Sequence, residues 1–377
     1  MNRRRVCFYA PYLYPVATGA IEQAGGAEVQ QWMLAGGLLR RGYEVAVVVC
    51  DYGQPRRVVH QGVELVRAFR PDAGLPVLRF LHPRLSLAAH ALRQADAEVY
   101  VVRGAALGAG ITYDVARGMR RRFVFMAAHD ADVERALPLL PNPRDRWWYQ
   151  RALRGADAVV VQTEHQRERL RNEFGLAAAV LTNPVELPAV AVDAGRDGTV
   201  IWLGTYKAAK RPEWFIELAR RLPRRRFVMC GEIPPPPLTR EVWEAASAAG
   251  RELANLEVRG FVPRERLGEL FGSGALFVHT SPAEGFPNTV LEAWAHGLPT
   301  VTAVDPDGLV RRERLGDVVA TFEDLVAAVD RRMSDLEGRR ETGARARAWC
   351  ASHHDPDVFA GQLAGILDAV IDRGRRR

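Results

Sequence analysis

Short apolar runs recur along the chain, each followed by a stretch whose apolar positions fall at helical spacing. In the first half the runs are RRVCFYAPY, YEVAVVVCD, VELVRAF, AEVYVVRG, RRFVFMAAHD, DAVVVQTE and AAVLTNP. Continuous rather than alternating apolar runs mark strands of parallel sheets covered by helices on both faces, because neither face meets water. Amphipathic helices are predicted between them, as in GGAEVQQWMLAGGLLRRG, where Val29, Trp32, Met33 and Leu39 fall near one side. The pattern breaks at residues 184–198, PVELPAVAVDAGRDG, which has no helical period and holds two prolines and two glycines. A second series follows, with strands GTVIWLGT, RRFVMCGE, NLEVRGFV, GALFVHTS and LPTVTAV, and helices expected from Arg211, Arg264 and Pro287.

This alternation predicts an α/β fold of two doubly wound, Rossmann-like domains, residues 1–187 and 199–355, joined by a linker over 188–198. A chain of 377 residues suits two such cores. A last amphipathic helix over 356–377 is expected to pack back toward the first domain. Ligands of doubly wound sheets bind beyond the carboxyl ends of the strands, so two such domains facing one another create a deep cleft.

Composition narrows the classes. With 48% hydrophobic and 26% charged residues the chain is globular. No apolar run reaches the roughly 18 residues of a membrane span, and MNRRR leads straight into a strand-like run, so the expected location is cytoplasmic. Cys7, Cys50, Cys230 and Cys350 are scattered without C-x-x-C spacing, and are read as reduced and structural. The net charge of +7 lies in the first half: residues 1–187 hold 25 Lys and Arg against 18 Asp and Glu, while the remainder balances. A basic first domain suits a phosphate-rich partner or an anionic membrane surface, the inner face of the membrane included. No basic stripe interleaves with aromatics and no nucleic-acid-binding module is recognisable, so nucleic acid is not expected as a partner. Residues 75–94, LPVLRFLHPRLSLAAHALRQ, read as a buried helix or as a peripheral membrane contact.

The densest chemistry lies in SPAEGFPNTVLEAWAHGLPTV, residues 281–301. A strand ends, a short loop carries Glu284 and Gly285, and a helix opens near Pro287 with Glu292 more than a turn inside; Gly297 and Pro299 suit its end. Backbone N–H groups around Asn288 and Thr289 then form an anion site at the positive end of the helix dipole. One carboxylate stands on either side of it, the layout needed for a diphosphate flanked by two sugars. The chain's only lysines, Lys207 and Lys210, lie together in WLGTYKAAKRPE, after another strand of the same domain.

In this context E-x7-E resembles the donor-binding motif of retaining GT-B glycosyltransferases of family 4. The likeness extends to GGAE at Gly25 to Glu28, TNPVEL, WLGTYKAAKRPE and GFVPRERLGELFGSGALFVHTS, covering most of both domains. The resemblance implies that Glu292 holds the ribose hydroxyls of a nucleotide sugar, that Glu284 contacts the transferred sugar, and that backbone from Gly285 through Phe286 and Asn288 to Thr289 fixes sugar and phosphate. In the family a glycine is followed by an arginine at the next position and a lysine at the sixth, and the pair neutralises the leaving diphosphate. Counted from Gly204, Lys210 takes the lysine place, but Thr205 stands at the arginine place, leaving Lys207, Arg211 or an arginine of the first domain to supply the missing cation.

In the first domain, Gly25 and Gly26 resemble the family's glycine-rich loop near donor phosphate and acceptor. His129 follows a strand at the position where the family has a histidine near the donor sugar. Asp130 and Arg103 are acceptor-side candidates; Asp130 and Asp132 could also cap the next helix. His279 and His296 read as packing or surface residues. No His/Asp/Glu cluster has metal-ligand spacing and Asp130-Ala131-Asp132 has the bare D-x-D pattern in the other domain, so no metal and no cofactor beyond the UDP- or GDP-linked donor is expected. The implied reaction is a retaining, metal-independent transfer by same-face attack to a glycan, lipid-linked or small-molecule acceptor, as in polysaccharide biosynthesis. The alternative is a noncatalytic nucleotide-sugar or glycan binder on the same fold, favoured only by Thr205.

Overall fold

The computed structural model describes residues 4–19, 25–74, 80–104, 106–194, 198–233 and 240–375. The chain divides into two compact units, Met1–Pro184 with Pro356–Arg377, and Val185–Asp355.

Among the described residues, the sheet of the first unit holds β1 (Arg5–Tyr9), β2 (Glu44–Val49), β3 (Arg57–His60), β4 (Val63–Arg67), β5 (Val99–Arg103), β6 (Arg122–Met126), β7 (Ala158–Val161) and β8 (Ala179–Val180). Their order is β3-β4-β2-β1-β5-β6-β7-β8. Every neighbouring pair is parallel except β3, which runs antiparallel to β4. The central strands are apolar throughout because helices cover both faces: Phe8, Val47 and Val101 are fully buried. The sequence pattern did not mark β3, an edge strand of alternating exposed and half-buried residues, and it promised more for β8, which is two residues long.

The helix Gly26–Arg40 buries Leu34, Ala35 and Leu38. The helix Pro356–Arg375 sends Phe359, Leu363, Ala364 and Leu367 into the same core as Val6, Phe8 and Val45. Polar contacts flank this seam, among them Arg4 with Asp372 at 3.1 Å and Arg40 with Asp357 at 2.7 Å.

The second unit's sheet holds β9 (Thr199–Leu203), β10 (Phe227–Cys230), β11 (Leu256–Val258), β12 (Gly274–His279), β13 (Thr300–Thr302) and β14 (Gly316–Val318), all parallel, in the order β11-β10-β9-β12-β13-β14. Arg211 itself lies outside any helix, in a left-handed conformation with φ 48°; the helix starts at Pro212, whose missing N–H costs nothing at that position. The helix expected from Arg264 is instead one 3-10 turn, Arg264–Arg266, and the short helix Leu267–Gly272, which has few residues to bury beyond Leu270 and Phe271. The helices Arg240–Glu252, Phe322–Ser334 and Leu336–His353 complete the covering layers. The start of the expected linker lies along this unit, with the Val185 N–H donating to the His354 carbonyl at 3.0 Å and the Val192 N–H to the His296 carbonyl at 2.7 Å.

Each strand order reverses once about its first strand. β1 has β2 on one side and β5 on the other, and β9 has β10 on one side and β12 on the other. The loops leaving β1 and β5, and those leaving β9 and β12, therefore diverge and leave a crevice at the carboxyl edge of each sheet.

Candidate functional site

In the second unit the crevice is bounded by the loop from Gly204 to the single turn Ala208–Lys210 and by the loop from Thr280 to Pro287. Side chains of the second loop and of β9 tie the two together. The Trp202 indole Nε1 donates to Thr280 Oγ1 at 2.9 Å, and Thr280 Oγ1 donates to the Lys210 carbonyl at 2.5 Å. Ser281 Oγ donates to the Ala209 carbonyl at 3.4 Å. Backbone held in this way delivers Lys210 Nζ to Glu284 Oε1, with which it forms an ion pair.

A third group faces the same oxygen. His279 Nε2 stands 3.7 Å from Glu284 Oε1, and its Nδ1 lies 3.2 Å from Thr302 Oγ1. Burial pushes the Glu284 carboxyl up, but the neighbouring His279 and the Lys210 charge outweigh it, and the carboxyl lies far below its ordinary range. Glu284 is thus an ionised acceptor whose side chain is only 13% exposed.

The helix Asn288–His296 opens directly after this loop. Pro287 makes no side-chain cap, and the N-terminal end presents the positive end of the helix dipole. Gly285 and Phe286 are buried, the Phe286 ring 5.3 Å from that of His354, while Asn288 and Thr289 are half-buried. At the other end Gly297 takes φ 87°, which lets its own N–H reach the Trp294 carbonyl and that of Leu298 reach Ala293, both at 2.9 Å.

Glu292 lies in the second turn of this helix. Arg264 Nη1 meets its Oε1 at 3.2 Å, while Arg264 Nη2 meets Glu186 at 3.2 Å. Burial raises the Glu292 carboxyl above its usual range, and Arg264 pulls against that shift without cancelling it. The two glutamates are therefore different instruments, one kept charged by two donors, the other strained upward by desolvation. Lys207 is exposed at the cap of the turn, and half-buried Gly204 leaves room for the Trp202 ring, 3.0 Å from where a β-carbon would stand. Arg211 lies over the Trp214 ring at 4.8 Å.

At the carboxyl edge of the first sheet, Gly25 caps the helix Gly26–Arg40. A β-carbon on Gly25 would lie 2.0 Å from Glu28 Oε2, the far end of a flexible carboxylate folded back over the helix start. Arg103 ends β5, where its Nη2 donates to Asn183 Oδ1 at 2.9 Å and to the Gln162 amide oxygen at 2.6 Å. Burial pulls the Arg103 guanidinium down to about 10. His129 caps the turn Asp130–Val133; its Nδ1 accepts from the Ala131 N–H at 3.1 Å, which leaves a proton on Nε2 to donate outward. The two aspartates of the D-x-D pattern serve different partners. Asp132 accepts from the N–H groups of Ala128 and His129 at 2.7 and 3.0 Å, and Asp130 accepts from Gln166 Nε2 at 2.8 Å, with burial raising its carboxyl.

The structure thus unites Lys210 with Glu284 and gives Glu292 a separate partner. His279 is buried, in keeping with its reading as a packing residue, and one of its ring nitrogens faces Glu284. Sequence reasoning missed His279, Arg264 and Glu28 as site residues. Their signal was positional: His279 ends the strand before the motif, Arg264 follows a strand end in GFVPRERL, and Glu28 lies in GGAE. Among the described residues no group of three or more His, Cys, Asp or Glu could hold a metal ion.

Two families match the chain. "Glycosyl transferases group 1" spans residues 197–335 and "Glycosyl transferase 4-like domain" spans residues 25–185. Each half of the chain thus matches a glycosyltransferase domain. The group 1 domain holds the Lys210 and Glu284 pair; the 4-like domain holds Arg103, His129 and the Gly25 helix start. Among curated proteins, an alpha-D-kanosaminyltransferase of Streptomyces kanamyceticus is 26% identical over 257 residues, 61% of this chain and 64% of that protein. The match therefore spans under two thirds of that relative's length. Sucrose-phosphate synthase of Thermosynechococcus elongatus superposes over 98% of this chain and 100% of its own, with TM-score 0.81 and 16% identity. HepE of Anabaena, solved with UDP and glucose, covers 97% of this chain and 100% of its own, with TM-score 0.76 and 15% identity. The fold is of the GT-B class.

Proposed function

We propose that the protein is a retaining glycosyltransferase of family 4 that moves a sugar from a UDP- or GDP-linked donor to a glycan, lipid-linked or small-molecule acceptor. The observation that carries this reading is the Lys210 and Glu284 pair at the reversal point of the second sheet, beside the N-terminal end of Asn288–His296. A nucleotide diphosphate suits the combination of a helix N-terminus and an ammonium group. Glu284, ionised and half-committed, accepts from hydroxyls of the transferred sugar, and Glu292 accepts from the ribose. The kanosaminyl transfer in the relative's name and the UDP and glucose bound to HepE support the donor class.

Transfer with retention passes through an oxocarbenium-like state. In the proposed same-face attack the leaving diphosphate takes the acceptor's proton, and the bond from the anomeric carbon to the diphosphate oxygen breaks as that to the acceptor oxygen forms. Lys210 then acts by stabilising charge on the departing diphosphate, an effect largest in the transition state. No enzyme base is required. His129, with a proton on Nε2, suits donation to a sugar hydroxyl, and Arg103 and Asp130 are assigned to the acceptor side. The binding role needs neither a metal nor a further cofactor.

No helix among the described residues is long and apolar enough to cross a membrane. We assign the protein to the cytoplasm, with peripheral contact between its basic first unit and an anionic membrane surface. Thr205 in the family's arginine place favours a second reading, a noncatalytic binder of the same ligands. A thermal-shift screen of UDP- and GDP-sugars identifies the donor, since a ligand of the folded state raises the melting temperature. NMR of the product of the stabilising sugar then reads the anomeric configuration. Inversion would refute the retaining assignment, binding without transfer would select the second reading, and no stabilisation by any nucleotide sugar would refute both.

A further inference from the structure

His279 is 6% exposed at the end of β12, in a position where an apolar side chain would pack as well. Its Nδ1 lies 3.2 Å from Thr302 Oγ1, a hydroxyl that accepts from the Val304 N–H and stands 3.1 Å from the Val304 carbonyl. Its Nε2 stands 3.7 Å from Glu284 Oε1, a few tenths of an ångström beyond hydrogen-bond range. A carboxylate oxygen only accepts, so the nitrogen facing it carries the proton. Lys210 occupies that same oxygen. One lysine cannot fully serve Glu284 and a diphosphate together, and a half-buried carboxylate that loses its cation needs another donor to keep its place.

From this we propose that His279 is a positioning residue, the donor that takes over Glu284 Oε1 when Lys210 turns to the diphosphate, so that Oε2 stays aimed at the sugar. The role rests on the donor site proposed above. Thr302 fixes the ring so that Nε2 needs only a small movement to close on Glu284. Binding the diphosphate and orienting the carboxylate that meets the transferred sugar are thereby coupled through one shared oxygen atom. His279 touches neither the substrate nor the reacting atoms.

Two amide substitutions separate this role from packing. In His279→Gln the side-chain NH2 falls near the position of imidazole Nε2 and can donate to Glu284; in His279→Asn it falls near Nδ1 and can reach only Thr302. Positioning predicts that His279→Gln keeps kcat within about threefold of wild type, whereas His279→Asn loses about tenfold to a hundredfold, the usual effect of a misplaced group in a catalytic constellation. By the same coupling, UDP or GDP affinity should hold in His279→Gln and weaken in His279→Asn, where Lys210 leaves Glu284 without a replacement donor. An Asn variant as active as wild type, or a Gln variant as impaired as Asn while melting like wild type, would overturn the proposal. A second measurement needs no turnover. Inorganic pyrophosphate added to 15N-histidine-labelled protein should shift the His279 Nε2 resonance in wild type and leave it unmoved in Glu284→Gln. An unmoved wild-type resonance at saturating pyrophosphate overturns the handover. A wild-type chain that transfers no sugar yet shows the shift refutes the proposed reaction and leaves the coupling standing.

Discussion

Lys210 and Glu284 are 74 residues apart in sequence and form an ion pair across the point where the second sheet reverses its strand order. The lysine backbone is held by Thr280, four residues before the glutamate, so the pair is built from both sides of the crevice. Lys210→Ala should lower kcat by about a hundredfold to a thousandfold, the scale for losing one preorganised group that stabilises developing charge. Steady-state kinetics with the identified donor measure it, and circular dichroism should show an intact fold.

The ionisation of Glu284 predicts a pH dependence with a definite sign. Its folded-state carboxyl lies far below the ordinary carboxylate value, so its contribution to stability is present above about pH 4.5 and fades as pH falls toward the depressed folded value. Wild type should therefore melt above Glu284→Gln at pH 7, and the gap should narrow between about pH 4.5 and pH 2. A gap that widens on acidification contradicts the assignment.

Glu292 should behave in the opposite way. Burial raises its carboxyl despite Arg264, so its charge destabilises the folded state at neutral pH, and Arg264 retains Glu186 if Glu292 is neutralised. Glu292→Gln should raise the melting temperature by about 1 to 4 °C at pH 7 and weaken UDP or GDP binding. The stabilisation should vanish as pH drops below the ordinary carboxylate range. Differential scanning calorimetry with nucleotide titration reads both effects.

At the start of Gly26–Arg40, the substitution Gly25→Ala puts a methyl group where the Glu28 carboxylate lies. The flexible glutamate yields before the backbone does, so the cost should stay near 1 kcal/mol or below, the scale of a lost helix cap. Adding Glu28→Ala to Gly25→Ala should then cost almost nothing further. A double-mutant cycle from urea melts tests that non-additivity.

The sequence displayed the buried strands because parallel strands under two helical layers need no polar alternation. Phe8, Val47, Val101, Leu276 and Phe277 all fall inside the apolar runs read at the outset. The edge strand β3 escaped because half its residues face water, and β14 because Gly316-Asp317-Val318 has no apolar run at all. The spacing of Glu284 and Glu292 was visible because Pro287 and Gly297 punctuate the helix between loop and strand. His279 and Arg264 were not, because their importance arises from through-space contacts with Glu284 and Glu292, and a lone histidine or surface arginine carries no local pattern that announces such a neighbour.

Leu367 offers a test of the last helix. It is fully buried in the core that contains Val6 and Phe8, and Leu367→Ala should cost about 2 to 5 kcal/mol through lost burial and the cavity left behind. Urea denaturation followed by intrinsic fluorescence should show that loss in the transition of the first unit.

The same helix sets an order on synthesis. Val185–Asp355 is one uninterrupted stretch of chain, whereas the first unit is left with an open apolar seam along Leu34, Leu38 and Val45 until the residues from Pro356 onward join it. The half of the chain made first is thus completed last. Ribosome-bound nascent chains stopped before that helix should expose a sticky surface for chaperones to cover.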